Sequence, residues 1–385
     1  MPLPTVHPPA ASTGPRRPAP RRAAALALAG LLLVAGAGCS SDPGDGTAAS
    51  GATTTAPGDP DGGATTTTPA DPSTPGDGTT TAPTVEAVGT YAVGSHEETL
   101  VDDTRTTQAH GGEAEKPDRT LPVLVLYPTD GGTAPDPEAD IVVDAPPAPG
   151  PWPLVVFSHG LSGNGPAYTT TLRVWASAGY VVVAPTYPLA NDETPGGSTP
   201  SDIPEQTADV AFVIDWARQA SSADDGPLAG LIDGERVGLA GHSLGAITSV
   251  AVGYNPCCQD PRVGAVAEWA GGYATDLGQG GGEPVADGPP LLIVHGDADD
   301  TVPYDRAEDA FARIDAPRTL VTLIGGAHTP PYVQGLAHPD TTVVTLSALA
   351  FFDQHLKDDP DGADRLAAVV DDAGPTVATR EDAPA

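Results

Sequence analysis

The chain has 385 residues, of which 51 are Asp or Glu and only 17 are Lys or Arg, so its formal net charge is −34. A surface this acidic repels the phosphate backbone of nucleic acids and favours high solubility. The composition therefore excludes nucleic acid as a partner.

The first 38 residues have the order of an export signal. Four arginines between Arg16 and Arg22 precede an uncharged apolar stretch of 16 residues, 23–38. That stretch is shorter than the roughly 20 residues of a membrane-spanning helix, so we predict a signal peptide over 1–38. It ends in Gly36-Ala37-Gly38-Cys39, which resembles the lipobox of bacterial lipoproteins. The resemblance implies that Cys39 is lipidated and holds the protein on the outer face of the cell membrane. Ordinary cleavage after Ala37 would instead release a secreted protein.

The next segment has the composition of a linker. Residues 39–84 consist almost entirely of Thr, Pro, Gly, Ala, Ser and Asp. Such a segment buries too little apolar surface to offset the entropy of ordering it, so we predict a disordered tether. We expect one folded domain over 85–357 and an acidic, flexible tail over 358–385.

Within the domain, short β-rich runs alternate with longer helical patterns, which indicates an α/β sheet. Apolar runs such as VVF, YVVVA and LLIV are typical of parallel strands buried on both faces. The predicted strands are 89–93, 121–127, 154–158, 180–184, 236–240, 263–268, 291–295 and 319–323. The predicted helices are 167–178, 204–219, 244–254, 304–314 and 342–356. Between Glu268 and Leu291 the sequence is short and glycine-rich, so we expect no large lid there. The polar loop 188–202 is expected to overhang the site.

The fifth predicted strand runs directly into the pentapeptide GHSLG, Gly241–Gly245. This is the G-x-S-x-G spacing of a nucleophile elbow, in which a strand turns sharply into a helix and presents one serine hydroxyl. Glycines are needed because a Cβ at either position would crowd the turn. The pattern predicts Ser243 as nucleophile and the Leu244 N–H as one donor to a developing oxyanion.

The loop after the third predicted strand supplies a candidate for the second donor. It reads His159-Gly160-Leu161-Ser162-Gly163, and its glycines allow the chain to curl over the elbow. We predict the Leu161 N–H as the second oxyanion donor, with Ser162 as the alternative. His159 is interpreted as a residue that braces the loop.

A serine hydroxyl needs a base, and the base needs an orienting acid. In G-x-S-x-G hydrolases the chain order is serine, acid, histidine. His328 follows the last predicted strand in GGAH and is the predicted general base; His338 is the competitor. Three carboxylates in HGDADDTVP, Asp297, Asp299 and Asp300, are the candidate acids. These carboxylates could also bind calcium, but the segment lacks the glycine and the distal glutamate of a calcium-binding loop. We expect no metal and no cofactor.

Four segments together, FSHGLSGN, GHSLG, HGDADDTVP and GGAH, resemble serine esterases of the α/β-hydrolase superfamily. The likeness is to platelet-activating-factor acetylhydrolases, dienelactone hydrolases and cutinase-like polyester hydrolases, and it spans residues 88–357. Dienelactone hydrolases use a cysteine nucleophile, so Ser243 argues against that activity. The resemblance implies an α/β-hydrolase fold with a mostly parallel eight-stranded sheet flanked by helices. Through its H-G-x-x-D-x-x-V-P pattern it also places the functional acid on Asp299.

Two further features have open interpretations. Trp269 ends the strand after the elbow and either lines the substrate's acyl pocket or caps the core. The adjacent Cys257 and Cys258 form either a vicinal disulfide or two free thiols, with a structural role in their loop favoured over redox chemistry.

The sequence thus leads to an exported monomeric serine hydrolase that cleaves carboxylic esters through an acyl-enzyme. Its expected partner is a small-molecule, lipid or polymeric ester, and its link to the membrane is only the lipid anchor. The alternatives are an envelope acyltransferase with the same triad and a non-catalytic surface protein with this fold.

Overall fold

The structure, a computed structural model, describes residues 89–130, 141–278, 280–333 and 337–385. The predicted signal segment, Cys39 and the tether lie outside these residues. No helix within the described ranges has both the length and the apolar character needed to cross a bilayer.

The described chain begins with four strands, after which helices follow most of the strands. The strands are β1 (Ala92–Asp102), β2 (Arg119–Thr129), β3 (Val142–Val143), β4 (Trp152–Ser158), β5 (Val181–Pro185), β6 (Ile232–His242), β7 (Val263–Trp269), β8 (Leu291–Gly296), β9 (Arg318–Leu323) and β10 (Ala378–Ala383). The helices are α1 (Thr169–Ser177), α2 (Ile203–Ser222), α3 (Leu244–Tyr254), α4 (Asp305–Arg313), α5 (Pro330–Val333), α6 (Pro339–Leu356) and α7 (Gly362–Ala373).

All these strands belong to one sheet, in the order β10-β9-β8-β7-β6-β4-β5-β2-β1-β3. The six central strands, from β9 to β5, are parallel to one another. Antiparallel pairing begins at β2 on one side and at β10 on the other. Helices α2, α3 and α4 pack on one face and α1, α5, α6 and α7 on the other. Because both faces are covered, β4 and β5 are buried along nearly their whole length, as their continuous apolar runs predicted.

The sheet is larger than the eight strands that we predicted. All eight predicted strands are present, and β3 and β10 are additional. The first strand was predicted at 89–93 but extends over Ala92–Asp102. It pairs with β2 along its whole length, although Glu97 and Glu98 are exposed. Such a half-exposed antiparallel strand lacks the continuous apolar run from which buried strands are predicted.

The prediction of a flexible tail over 358–385 was wrong. That segment forms α7 and then β10, which pairs antiparallel with β9. Leu366 and Val370 of α7 pack into the core beside α6. The strand itself, ATREDA, buries only Ala378 and is held by backbone hydrogen bonds, which depend little on side-chain type.

The parallel strands end at a common edge of the sheet. Ser158, His242, Trp269, Gly296 and Leu323 are the last residues of β4, β6, β7, β8 and β9. In open α/β sheets the loops that leave this edge form the ligand-binding crevice. The motifs found in the sequence all lie in those loops.

Candidate active site

Ser243 lies at the sharp turn between β6 and α3, with φ 54° and ψ −118°. A positive φ is strained for a residue with a side chain, and it is tolerated here because the surroundings hold the turn. The Ser243 N–H donates to the Trp269 carbonyl of the neighbouring strand at 2.8 Å. A Cβ on Gly241 would collide with the Gly245 carbonyl, and one on Gly245 with the Ser158 carbonyl. The chain therefore forms the elbow that GHSLG predicted.

The structure brings Ser243, His328 and Asp299 together. His328 Nδ1 lies 2.7 Å from Asp299 Oδ2, and His328 Nε2 lies 2.9 Å from Ser243 Oγ. A carboxylate only accepts hydrogen bonds, so Nδ1 carries the proton and Nε2 accepts the Ser243 O–H. The three groups are thus oriented for proton transfer from the serine to the imidazole.

Burial distinguishes Asp299 from its two neighbours in the acid turn. Asp299 is buried, whereas Asp297 and Asp300 are exposed. Asp299 Oδ1 accepts the N–H groups of Thr301 and Val302 at 2.9 and 2.8 Å. Burial opposes ionisation of Asp299, but its contacts with His295, His328 and the Val302 N–H outweigh that effect and lower its pKa. The carboxylate is therefore charged and aimed at His328.

The other candidates lie elsewhere. Asp297 Oδ1 accepts the Gly325 N–H at 2.6 Å and so shapes the loop before His328. His338, the competing base, is exposed at the start of α6 near Asp340. Among the described residues no cluster of His, Cys, Asp or Glu side chains is arranged to hold a metal ion.

Two backbone N–H groups from different elements are the candidate oxyanion donors. Leu244 is the first residue of α3, so its N–H has no acceptor within the helix. Gly160 passes so near the elbow that a Cβ there would lie 3.3 Å from Ser243 Cβ. The Ser162 N–H donates to the Ala190 carbonyl at 2.8 Å, which removes this alternative donor. The Leu161 N–H has no acceptor among the described residues, which favours Leu161 as the second donor.

The loop that carries Leu161 is braced from two sides. His159 Nε2 accepts the Tyr187 N–H at 3.1 Å, so its Nδ1–H donates to the Gly160 carbonyl at 2.8 Å. Burial lowers the pKa of His159 to about 4, which keeps the ring neutral and able to accept. Loop 188–202 packs against the same segment through the Ala190 carbonyl described above. The bracing role predicted for His159 agrees with this geometry.

Trp269 is packed in the core, which contradicts the prediction that it binds the substrate. Its side chain is fully buried, stacked on Tyr332 and in contact with Phe157 and Trp175. Strand β7 points this side chain into the core beneath α5 and α6, away from the crevice. Only the Trp269 backbone contributes to the site, through its bond to Ser243.

The sequence did not predict the roles of several residues near the triad. His242, the second residue of GHSLG, hydrogen-bonds the His328 carbonyl, and Tyr168 bonds His242. His295 Nε2 lies 3.4 Å from Asp299 Oδ2 and 2.8 Å from the Val302 carbonyl. The two histidines stood inside recognised motifs, but nothing in the sequence around Tyr168 indicated its place.

Farther from the triad, Cys257 and Cys258 are joined in a vicinal disulfide. The Cys257 N–H also donates to Asn255 Oδ1 at 3.2 Å. The pair lies in the loop that follows α3.

Comparisons with known proteins find sequence likeness over part of the chain. A protein-family model described as Chlorophyllase matches residues 119–265, a segment that contains Leu161 and Ser243 but ends before Asp299 and His328. Chlorophyllase-1 from Arabidopsis thaliana is 33% identical over 116 residues, which are 30% of this chain. The chain spans about a third of the length of that relative, 33%.

A solved structure gives the broader match. A ferulic acid esterase from Streptomyces cinnamoneus superposes with a TM-score of 0.54 at 23% identity, over 70% of this chain and 92% of its own. At this identity the match shows the fold, and the predicted α/β-hydrolase fold is confirmed. The two chlorophyllase likenesses cover only part of the chain and are compatible with the resemblance to serine esterases of this superfamily.

Proposed function

We propose that this α/β-hydrolase cleaves carboxylic esters through an acyl-enzyme formed on Ser243. The observation that carries the proposal is the pair of hydrogen bonds that His328 makes, 2.7 Å to Asp299 and 2.9 Å to Ser243. Nucleophile, base and orienting acid are then in the order and contact that acyl transfer requires. The esterase likenesses point to the same class of reaction.

In the first half-reaction, Ser243 Oγ attacks the ester carbonyl while His328 Nε2 takes the serine proton. The carbonyl oxygen becomes negative and accepts hydrogen bonds from the Leu161 and Leu244 N–H groups. As the tetrahedral intermediate collapses, the bond to the leaving oxygen breaks and His328 gives its proton to the departing alcohol. Asp299 stabilises the imidazolium that exists between these two transfers.

In the second half-reaction, water replaces the alcohol. His328 accepts a proton from the water as its oxygen attacks the acyl carbon, and then returns that proton to Ser243 Oγ. The products are the carboxylic acid and the free enzyme. Because His328 remains partly exposed beside the half-buried Ser243, water and substrate can both reach the reacting atoms.

The proposal is tested by Ser243→Ala, with Ser222→Ala as control because Ser222 is an exposed serine on α2. Turnover of p-nitrophenyl acetate should fall at least about 10³-fold in Ser243→Ala and stay unchanged in the control. A fluorophosphonate probe should label Ser243 in the unmodified protein. Unchanged turnover in Ser243→Ala would contradict the proposal.

The substrate class needs a panel in which acyl length and alcohol vary separately. A p-nitrophenyl ester series from acetate to palmitate measures the depth of the acyl site, and a lysophospholipid and a polyester film test lipid and polymeric esters. Chlorophyll belongs in the panel because of the likeness to a chlorophyllase. An added alcohol acceptor completes it: acyl transfer to the alcohol in preference to water would identify an acyltransferase.

A further inference from the structure

His242 is the residue before the nucleophile, and its side chain is buried. It is packed between the rings of His328 and Tyr332, with centroid distances of 5.0 and 4.6 Å. Burial, and then proximity to His328, lower the pKa of His242 to about 3, so the ring is neutral. A neutral imidazole has one donor and one acceptor nitrogen, and both are used here.

The direction of each hydrogen bond follows from the chemistry of the partners. His242 Nε2 lies 2.9 Å from the His328 carbonyl, which can only accept, so Nε2 carries the proton. His242 Nδ1 must then accept, and the hydroxyl of Tyr168, at 2.8 Å, donates to it. The Tyr168 oxygen in turn accepts the Gly160 N–H at 3.3 Å. One directed chain therefore runs from Gly160 through Tyr168 and His242 to the His328 backbone.

The two ends of this chain are the two loops that must meet over the nucleophile. Gly160 immediately precedes Leu161, the candidate oxyanion donor, and a Cβ on Gly160 would lie 3.1 Å from His242 Nδ1. His328 is the candidate base. The loops belong to β4 and β9, which are not neighbours in the sheet, so sheet pairing alone does not hold one loop relative to the other.

We propose that Tyr168 and His242 are positioning residues. Their hydrogen bonds hold the oxyanion loop and the base loop in a fixed position relative to each other and to Ser243. This rests on the proposed function, since it assigns a catalytic purpose to the distance between the loops. Among the described residues, neither side chain hydrogen-bonds Ser243 Oγ or the His328 ring, against which His242 only packs. Their effect is geometric, and small displacements of catalytic groups are costly: misplacement by about 1 Å can lower the rate about 10²-fold.

The test is Tyr168→Phe, which removes the hydroxyl and keeps the ring that packs on Phe157 at 4.7 Å. The matched control is Tyr254→Phe, since Tyr254 is equally buried and its hydroxyl bonds the Pro289 carbonyl at 2.7 Å, in the loop before β8. Tyr168→Phe loses the hydrogen bonds with His242 and Gly160, and Tyr254→Phe loses those with the Pro289 and Pro290 carbonyls, so the two variants should lose similar thermal stability. We expect kcat to fall about tenfold in Tyr168→Phe with KM within twofold of the unmodified protein, and to stay unchanged in Tyr254→Phe.

A kcat for Tyr168→Phe within twofold of the Tyr254→Phe value would overturn the proposal. If Tyr168→Phe does not fold, His242→Phe removes both hydrogen bonds while keeping a ring between His328 and Tyr332, and the same criterion applies. Absence of ester hydrolysis and of fluorophosphonate labelling in the unmodified protein would contradict the proposed function itself.

A second readout does not depend on activity. In ¹⁵N NMR of the unmodified protein at neutral pH, His242 should show a protonated Nε2 and an unprotonated Nδ1, with an Nδ1 resonance that moves in Tyr168→Phe and not in Tyr254→Phe. The opposite tautomer, or a resonance indifferent to Tyr168, would overturn the directed chain.

Discussion

Glu268 is a buried carboxyl on β7 that takes no part in the proposed reaction. Its side chain is fully buried, and Oε2 accepts the Gly271 N–H at 2.9 Å. Burial raises the pKa of Glu268 to about 7, although the neighbouring His295 and the Gly271 N–H favour its charged form. A buried acid of this kind makes the stability of the fold depend on pH.

Between pH 4.5 and 7 the folded protein keeps a proton on Glu268 that the unfolded chain has released. The free energy of unfolding due to this residue therefore falls as pH rises through that window. Gln cannot titrate, so the stability of Glu268→Gln relative to the unmodified protein should increase from pH 4.5 to 7.5. At about 1.4 kcal/mol per pKa unit, the free energy of unfolding of Glu268→Gln relative to the unmodified protein should increase by about 3 kcal/mol.

Urea unfolding of both proteins at several pH values measures this difference. Glu115→Gln is the control, because Glu115 is exposed, and it should show no such trend. If the difference in free energy of unfolding between Glu268→Gln and the unmodified protein stays constant from pH 4.5 to 7.5, Glu268 is not protonated in the folded state.

At the scale of elements, β10 protects the strand that leads to the base. Strand β9 ends five residues before His328, and β10 covers its outer edge along its whole length. The Ile324 N–H, between β9 and the base loop, donates to the Val377 carbonyl at 2.8 Å. Without this cover, β9 would be an unpaired edge strand.

A chain that stops after Gly374 should therefore lose stability and activity. In a protein of this size each kcal/mol lowers Tm by about 2–4 °C, and the loss of a ladder of backbone bonds should lower it by at least about 5 °C. Thermal unfolding followed by circular dichroism measures the shift, and light scattering detects aggregation through the open edge. A control that lacks only Pro384 and Ala385 keeps β10 and should unfold near the full-length Tm. Equal Tm values for all three chains would contradict the protective role.

At the scale of the whole molecule, the N-terminal residues bear on where the domain works. We propose that the protein is exported and that Cys39 carries the lipid, from the basic and apolar order of residues 1–38 and the lipobox resemblance. A lipid anchor followed by a 39–84 tether would hold the catalytic domain at a distance from the membrane. Two membrane signals are usually needed for stable anchoring by single acyl chains, and a multiply acylated cysteine would supply them.

Cys39→Ala should move the protein from the membrane fraction to the soluble fraction of a bacterial host that processes lipoproteins. Ser41→Ala, two residues away, is the control and should leave it in the membrane fraction. Mass spectrometry of the N-terminal peptide checks for the lipid directly. Recovery of the unmodified protein only in the soluble fraction, without lipid, would favour ordinary signal cleavage.

The sequence by itself determined the fold class and the triad candidates, because these depend on local patterns. Buried parallel strands need continuous apolar runs, and the elbow needs glycines at Gly241 and Gly245 whatever the rest of the chain does. The tertiary structure decided what depends on neighbours distant in the chain. Burial gave a physical reason for Asp299, which the resemblance had favoured over Asp297 and Asp300. The hydrogen bond to the Ala190 carbonyl excluded the Ser162 N–H as a donor, and the packing of Phe157, Trp175 and Tyr332 placed Trp269 in the core. The tertiary structure also decided the pairing of β10 and the contacts of Tyr168 and His242. These contacts form because the sheet brings together segments that are far apart in the chain, and a local sequence pattern does not predict which segments will be in contact.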